Sequence, residues 1–206
     1  MTNEQVLEFF KKTGGYITDS HIVYTSGKHG SAYLNKDSIY PHTNLVSQLC
    51  RAIAEEFKGK EIEVIAAPAL GGIILSQWTA HHLSLMEQRE ILAVYTEKTP
   101  DNGQVFTRGY DRCVKGKKVL IVEDILNTGG SVRKVVDAVR QAGGAVIAAA
   151  ALVNRGNVQS ADIGNVLLFT LASINLEAWE ENKCPLCKQG TPINITVGKG
   201  KLLNKK

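Results

Sequence analysis

Val119-Leu-Ile-Val-Glu-Asp-Ile-Leu-Asn-Thr-Gly-Gly-Ser131 decides how the rest of the chain is read. Val119 to Val122 form a short continuous apolar run, the pattern of a strand buried on both faces. Glu123 and Asp124 stand at its C-terminal end. After Ile125 and Leu126 come Asn127, Thr128, Gly129, Gly130 and Ser131, and then a helical pattern. A Gly-rich turn with hydroxyls that opens a helix aims several backbone N–H groups at one point, which suits a phosphate. The paired acids stand where a sugar diol can lie. A phosphate at one end and a diol at the other describe a ribose 5-phosphate. Strand, acid, Gly turn and helix also occur together for structural reasons alone, and a lone Gly-Gly turn is a weak signal. No Lys follows the glycines, so this is not a Walker loop. The G-x-G-x-x-G spacing of a dinucleotide fingerprint is absent as well.

Outward from this window, apolar runs alternate with helical patterns. Val64 to Ala67 reads as a strand, Pro68 to Gly72 as a small-residue turn and Ile73 to Leu83 as a helix. Leu92 to Tyr95 is a strand, Gly130 to Ala142 a helix ended by Gly143-Gly144, and Val146 to Val153 and Val166 to Leu171 are further strands. Continuous apolar strands separated by helices predict a parallel sheet covered on both faces. Ligands of such sheets sit beyond the carboxyl ends of the strands. Three turns lie there: Pro68 to Gly72, the stretch from Glu97, and Glu123 to Ser131. Residues 97–117 are polar without helical periodicity. Thr99-Pro-Asp-Asn-Gly103 is turn chemistry, and Gln104 to Arg108 is a short strand candidate, so the segment is either a surface hairpin or a lid.

Before the first of these strands, Thr2-x-x-Gln5 caps a short helix with Val6, Leu7, Phe9 and Phe10 on its apolar side, and Gly14-Gly15 stops it. Ile22 to Tyr24 and Ala32 to Leu34 flank Ser26-Gly-Lys-His-Gly30 and read as a hairpin. Residues 41–58 are helical, with Leu45, Leu49, Ile53 and Phe57 at the right spacing.

Of the 206 residues 44% are hydrophobic and 21% charged, the balance of a single globular domain with a substantial core. The net charge of +4 resides in Lys199, Lys201, Lys205 and Lys206, which leaves a neutral body of 20 basic and 20 acidic residues. A nucleic-acid binder needs a basic face rather than a basic tail, and the tail reads as solvated. No run is long enough to span a membrane, and the N-terminus lacks a signal-peptide pattern, so the expected location is the cytoplasm.

Four cysteines are present, Cys50, Cys113, Cys184 and Cys187, and Cys184-Pro-Leu-Cys187 has ligand-like spacing. A structural zinc site takes four ligands. There is no second C-x-x-C, and none of the histidines, at 21, 29, 42, 81 and 82, has matching spacing. A packed turn with two reduced thiols is the first reading; a partial or shared metal site, or a disulfide, stays open.

The window 119–131 closely resembles the signature of the type I phosphoribosyltransferases. The resemblance extends from about residue 4 to about residue 198 and points to the orotate phosphoribosyltransferases. Thr25-Ser-Gly-Lys-His29 followed by Tyr33-Leu-Asn35 is similar to their N-terminal hood, Ala67-Pro-Ala-Leu-Gly-Gly72 to their pyrophosphate loop, and Val153-Asn-Arg155 to the segment that supplies the orotate-binding Arg. The ending Cys-Pro-Leu-Cys-x-x-Gly-x-Pro-Ile resembles a bacterial branch of that family. The resemblance implies a fold with a central parallel sheet flanked by helices and a small hood. Residues 1–198 would be one domain, with a hood of about 1–40 plus the C-terminal segment and a core of about 41–172, and 199–206 a basic tail.

The same resemblance implies the site. Glu123, Asp124, Ile125, Leu126, Asn127, Thr128, Gly129, Gly130 and Ser131 would bind phosphoribosyl pyrophosphate, together with Ala69, Leu70, Gly71, Gly72 and Lys98. Orotate would meet Asn127, Arg155, Lys28 and Tyr33, and the catalytic assignments fall on Asp124, Glu123 and Lys98. Mg²⁺ is implied as cofactor, held through the substrate without an assigned protein ligand, and a homodimer is implied by analogy. Better-known members carry Lys where this chain has Gly71, a hood Lys where it has Thr25, a Thr where it has Asn127, and a catalytic loop richer in Lys and His. A purine phosphoribosyltransferase shares the signature but has a different hood. A regulator that binds phosphoribosyl pyrophosphate would need a nucleic-acid-binding unit, and an inactive paralogue would fit the missing basic residues.

Overall fold

The computed structural model describes residues 1–202 except Thr25. In chain order its helices and strands are α1 (Asn3–Lys12), β1 (Tyr16–Ile17), β2 (Ile22–Val23), β3 (His29–Gly30), β4 (Tyr33–Leu34), α2 (Thr43–Phe57), β5 (Val64–Pro68), α3 (Gly71–Glu87), β6 (Leu92–Lys98), β7 (Gln104–Val105), α4 (Tyr110–Val114), β8 (Lys118–Leu126), α5 (Gly130–Gln141), β9 (Ala145–Asn154), β10 (Leu167–Ser173) and α6 (Pro185–Lys188). They fall into two compact units, Met1–Val6 with Tyr40–Ile174, and Leu7–Ile39 with Asn175–Lys206.

The first unit is built on a six-stranded sheet in the order β10-β9-β8-β5-β6-β7. Every pair is parallel except the short β6–β7 pair. The apolar runs explain this. All five residues of β5 are buried, as are Val119 to Val122 in β8 and Ala148 to Val153 in β9. Such strands need cover on both faces, and the intervening helices supply it. Val132, Val135, Val136 and Val139 of α5 pack in one cluster with Val64, Ala66, Val119 and Ile121. The alternation of a strand then turns Leu120 and Val122 to the opposite face. There α3 packs on β5, β6 and β8 and carries α2 against it. Val46, Leu49, Cys50, Ile53, Ala54 and Phe57 are the buried stripe of α2, as its periodicity predicts.

At its start α1 closes the reciprocal cap read from the sequence: Thr2 N–H donates to Gln5 Oε1 (2.9 Å) and Gln5 N–H to Thr2 Oγ1 (3.3 Å). Several boundaries move. Strand β8 runs through both acids to Leu126 instead of ending at Val122, because β9 continues to pair with it at Ile125↔Val153 and Leu126↔Asn154. Helix α3 extends to Gly71–Glu87. Residues 97–117 contain β7, paired back on β6 at Glu97↔Val105 and Lys98↔Gln104, and then the five-residue α4, which the periodicity does not predict.

The second unit holds two small antiparallel pairs, β1–β4 and β2–β3. The hairpin expected from sequence therefore has a different partner: Ile22–Val23 pairs with His29–Gly30, whereas Tyr33–Leu34 pairs with Tyr16–Ile17. Strands of two residues are too short for periodicity to assign their pairing. Gly198–Leu202 form a 3₁₀ turn against β2, with Lys199 and Lys201 exposed. The expectations for Thr25, Lys205 and Lys206 lie outside the described residues.

Leu120 is fully buried at the centre of the sheet. Replacing it with Ala should lower the unfolding free energy by about 2–5 kcal/mol, read as a shift in the urea midpoint at unchanged slope. A loss well under about 1 kcal/mol would contradict this packing.

Candidate active site at the carboxyl ends of β5 and β8

From β5 the chain passes through α3 to β6 on one side, then returns to β8 on the other, so β5 and β8 are neighbours with connections leaving in opposite directions. That is a topological switch point, where the loops diverge and leave a crevice at the carboxyl ends of the strands. Two helices start at those ends, α3 at Gly71 and α5 at Gly130, and neither has a side-chain cap. The positive ends of both dipoles face the crevice, and of the first N–H groups that of Gly130 makes a long contact to Thr128 Oγ1 (3.4 Å).

The turn into α5 encloses a concavity of about 130 Å³ lined by Glu123, Ile125, Leu126, Asn127, Thr128, Gly129, Gly130, Ser131 and Val132. Asn127, Thr128 and Ser131 are not fully buried, and Gly129 is buried with φ of +74°. A Cβ at Gly129 would lie 2.8 Å from Ile163 Cγ2 and 2.9 Å from Val158 Cγ1. The glycine therefore serves the left-handed turn and the packing beneath it; a side chain there would point at the core and not at the ligand.

Glu123 and Asp124 are 8% and 5% exposed. Because β8 continues through them, they lie on opposite sides of the strand. Glu123 borders the loop concavity and accepts the Asp124 N–H (3.0 Å). Asp124 accepts the Ile125 N–H at Oδ1 (2.7 Å) and the Tyr40 hydroxyl at Oδ2 (2.7 Å). A diol reaches both carboxylates only across the end of the strand.

Tyr40 has no motif of its own and is 84 residues from Asp124 in sequence; sequence reasoning missed it, and no local signal could have revealed it. Its hydroxyl and Asp124 Oδ2 also explain Gly71, since a Cβ on Gly71 would collide with both. A residue with a side chain, such as the Lys of better-known family members, would displace the pair. The turn before it is tied to β6, with Ala69 N–H donating to Thr96 O (2.9 Å). The Ala69–Leu70 peptide is cis, Leu70 is exposed, and Gly72 is buried.

Arg155 follows β9. Its N–H and that of Gly156 both donate to Leu126 O (2.9 and 3.0 Å), which binds its turn to the start of the 127–131 loop. Asn154, buried, closes the same turn by donating to Val158 O (2.9 Å) and accepting the Val158 N–H (3.0 Å). Lys98 is exposed at the end of β6. The β6–β7 turn is tight, with Gly103 N–H donating to Thr99 Oγ1 (2.8 Å). Arg108 is paired with Glu97 (3.2 Å). The Glu97 carboxyl is held below its ordinary range, first by the Thr107 hydroxyl (2.7 Å) and then by Arg108.

In the second unit Lys28 is exposed and pairs with Glu180 (3.2 Å), and Tyr33 is half-buried in β4. Of the readings left open for Cys184 and Cys187, two reduced thiols are found and a disulfide is not, while histidines that sequence spacing did not point to lie beside them. Both carry free thiols, and the side chains of His21 and His29 meet them. The signal was invisible because the histidines lie more than 150 residues away in sequence.

A sequence profile of the phosphoribosyl transferase domain matches residues 35–180. The orotate phosphoribosyltransferase of Caldanaerobacter subterraneus subsp. tengcongensis is 37% identical over 98% of this chain and 100% of its own length. That of Desulforamulus reducens is 33% identical over 93% of this chain and 95% of its own. Among solved structures, Mycobacterium tuberculosis orotate phosphoribosyltransferase in complex with inorganic phosphate superposes with a TM-score of 0.65 at 20% identity, covering 82% of this chain and 96% of that one; it shares the fold. Sheet order, the loop at the switch point and full-length similarity agree: the chain belongs to the phosphoribosyltransferase family, in the branch of the orotate phosphoribosyltransferases.

Proposed function

We propose that this protein transfers ribose 5-phosphate from phosphoribosyl pyrophosphate to orotate, giving orotidine 5′-monophosphate and pyrophosphate, a step of pyrimidine biosynthesis. The observation that carries this reading is the uncapped start of α5 behind the 127–131 loop, with two buried carboxylates beside it on β8. The relatives matched over nearly the whole chain support orotate as the base.

In this assignment the backbone N–H groups and hydroxyls of Asn127 to Ser131 hold the 5-phosphate. Glu123 and Asp124 accept the ribose hydroxyls from either side of the strand end. Their negative charge also lies near C1, where positive charge grows as the bond to pyrophosphate breaks and a ring nitrogen of the base attacks. No side-chain nucleophile is needed; the protein orients two reactants and places fixed charge. The turn Ala69 to Gly72, with the start of α3 behind it, receives the pyrophosphate, assisted by Lys98. Arg155 offers its planar fork to the orotate carboxylate, with Asn127 beside it, and Lys28 and Tyr33 are assigned to orotate from the resemblance alone. The carboxylate oxygens of Glu123 and Asp124, with diol and pyrophosphate oxygens, form a hard donor set that fits Mg²⁺. When bound, the ion would neutralise charge on the pyrophosphate. The family resemblance further assigns a homodimer and a cytoplasmic location; no helix among the described residues is long and apolar enough to cross a membrane.

The direct test is turnover with phosphoribosyl pyrophosphate and Mg²⁺, with orotate, hypoxanthine, xanthine and adenine assayed side by side. Orotate consumption alone is expected; turnover of a purine and not orotate would replace this reading with purine salvage.

Two substitutions probe the halves of the site. Arg155→Ala should weaken orotate by about ten- to a hundredfold, the loss of a charge-assisted contact of roughly 1.5–3 kcal/mol, and leave phosphoribosyl pyrophosphate binding nearly unchanged by calorimetry. Equal weakening of both ligands would mean that Arg155 holds the turn and does not read the base. Tyr40→Phe removes one hydrogen bond from Asp124 and should lower kcat/KM by up to about a hundredfold on the same scale. Gly71→Ala, which pushes on that pair from the other side, should lower it as well. Full activity in both folded variants would show that the position of Asp124 is unimportant.

A further inference from the structure

The second unit has a small apolar core, with Phe10, Ile22 and Ile39 fully buried, and little regular secondary structure. Its strands are two residues long, and its two chain segments, Leu7–Ile39 and Asn175–Lys206, are far apart in sequence. Units this small are usually stapled by a disulfide or a metal. Here both Cys184 and Cys187 are free thiols. Yet His21, His29 and Cys184 are buried, at 2%, 4% and 0% exposure, and converge with Cys187 so that one ligand atom of each lies within 4.8 Å of all the others.

We propose that His21, His29, Cys184 and Cys187 bind a structural zinc ion. The distances support four ligands around one centre. His21 Nε2 lies 3.7 Å from Cys184 Sγ and 3.5 Å from Cys187 Sγ, and His29 Nδ1 lies 3.3 Å from Cys187 Sγ and 2.8 Å from His21 Nε2. A tetrahedron with Zn–N of about 2.0–2.1 Å and Zn–S of about 2.3 Å has N···S edges of roughly 3.5 Å and N···N edges of roughly 3.3 Å. A small outward movement of the two imidazoles completes that figure. Two thiolates and two imidazoles are the donor set that selects zinc over the harder magnesium.

The surroundings orient the ligands. Thr191 O lies 2.7 Å from His21 Nδ1. A carbonyl can only accept, so Nδ1 carries the proton and Nε2 presents its lone pair to the cluster, the arrangement usual for metal-binding histidines. Backbone bridges brace both histidines, His21 beside Ile193 and His29 beside Trp179. Cys184 precedes α6, and Cys187 lies within it. The ion would thus join the β2–β3 hairpin to the C-terminal segment, the thiols giving up their protons to solvent as they coordinate.

Protein purified without metal-affinity chromatography should contain one zinc per chain by mass spectrometry, released when the thiols are titrated with a mercurial. Cobalt substitution should give the visible absorption of tetrahedral cobalt with thiolate ligands. Cys187→Ser and His29→Asn should lose the metal and melt at lower temperature, and a strong chelator should lower the melting temperature of wild type. Cys113→Ser, outside the cluster, should retain zinc. Should the ligand variants fail to fold, the wild-type metal content decides. Metal-free wild-type protein that neither takes up zinc nor gains thermal stability from it would overturn the proposal, as would a Cys184–Cys187 disulfide in the folded chain.

Discussion

The pairing of β8 with β9 as far as Leu126 and Asn154 is the constraint on which the site depends. It carries the backbone past the point where β5 stops pairing with β8, at Ile121. Glu123 and Asp124 are therefore held in a rigid extended strand and not in a loop. The strand then turns at Asn127 to Gly129 and feeds α5, whose start lines one concavity with Glu123. Burial of two carboxylates is costly without partners. They meet it locally, each accepting a backbone N–H next to it, with Tyr40 completing Asp124.

A phosphate-rich substrate asks for positive potential, and a helix N-terminus can supply part of it from the backbone. Two helix starts without a side-chain cap at their N-cap residues, Leu70 and Gly129, stand at the switch point. A side chain at Gly71 would meet the Tyr40 hydroxyl and Asp124 Oδ2, so a Lys at the same position would have to push that pair aside. In the β6–β7 region Arg108 is committed to Glu97, whereas Lys98 stands exposed at the end of β6.

Much of the first unit was legible because doubly covered parallel strands leave continuous apolar runs, and runs such as Val64 to Ala67 and Val146 to Val153 fit few arrangements besides a buried strand. The strand ends were less so. Glu123 and Asp124 are polar, and only the partner strand reveals that they remain paired. The second unit was largely illegible. Its two-residue strands carry no periodicity, so Tyr33–Leu34 was matched to the wrong neighbour. The histidines beside Cys184 and Cys187 are brought together by folding across most of the chain. The same holds for Tyr40, whose role exists only once β8 lies beside it.

The central claim is that the backbone of the 127–131 loop receives the 5-phosphate. Amide chemical shifts measured on isotopically labelled protein during titration with ribose 5-phosphate test it directly. The N–H signals of Thr128, Gly129, Gly130 and Ser131 should move most, in the direction of stronger hydrogen bonding. Saturable binding with those four signals unmoved, and the shifts elsewhere, would contradict the account.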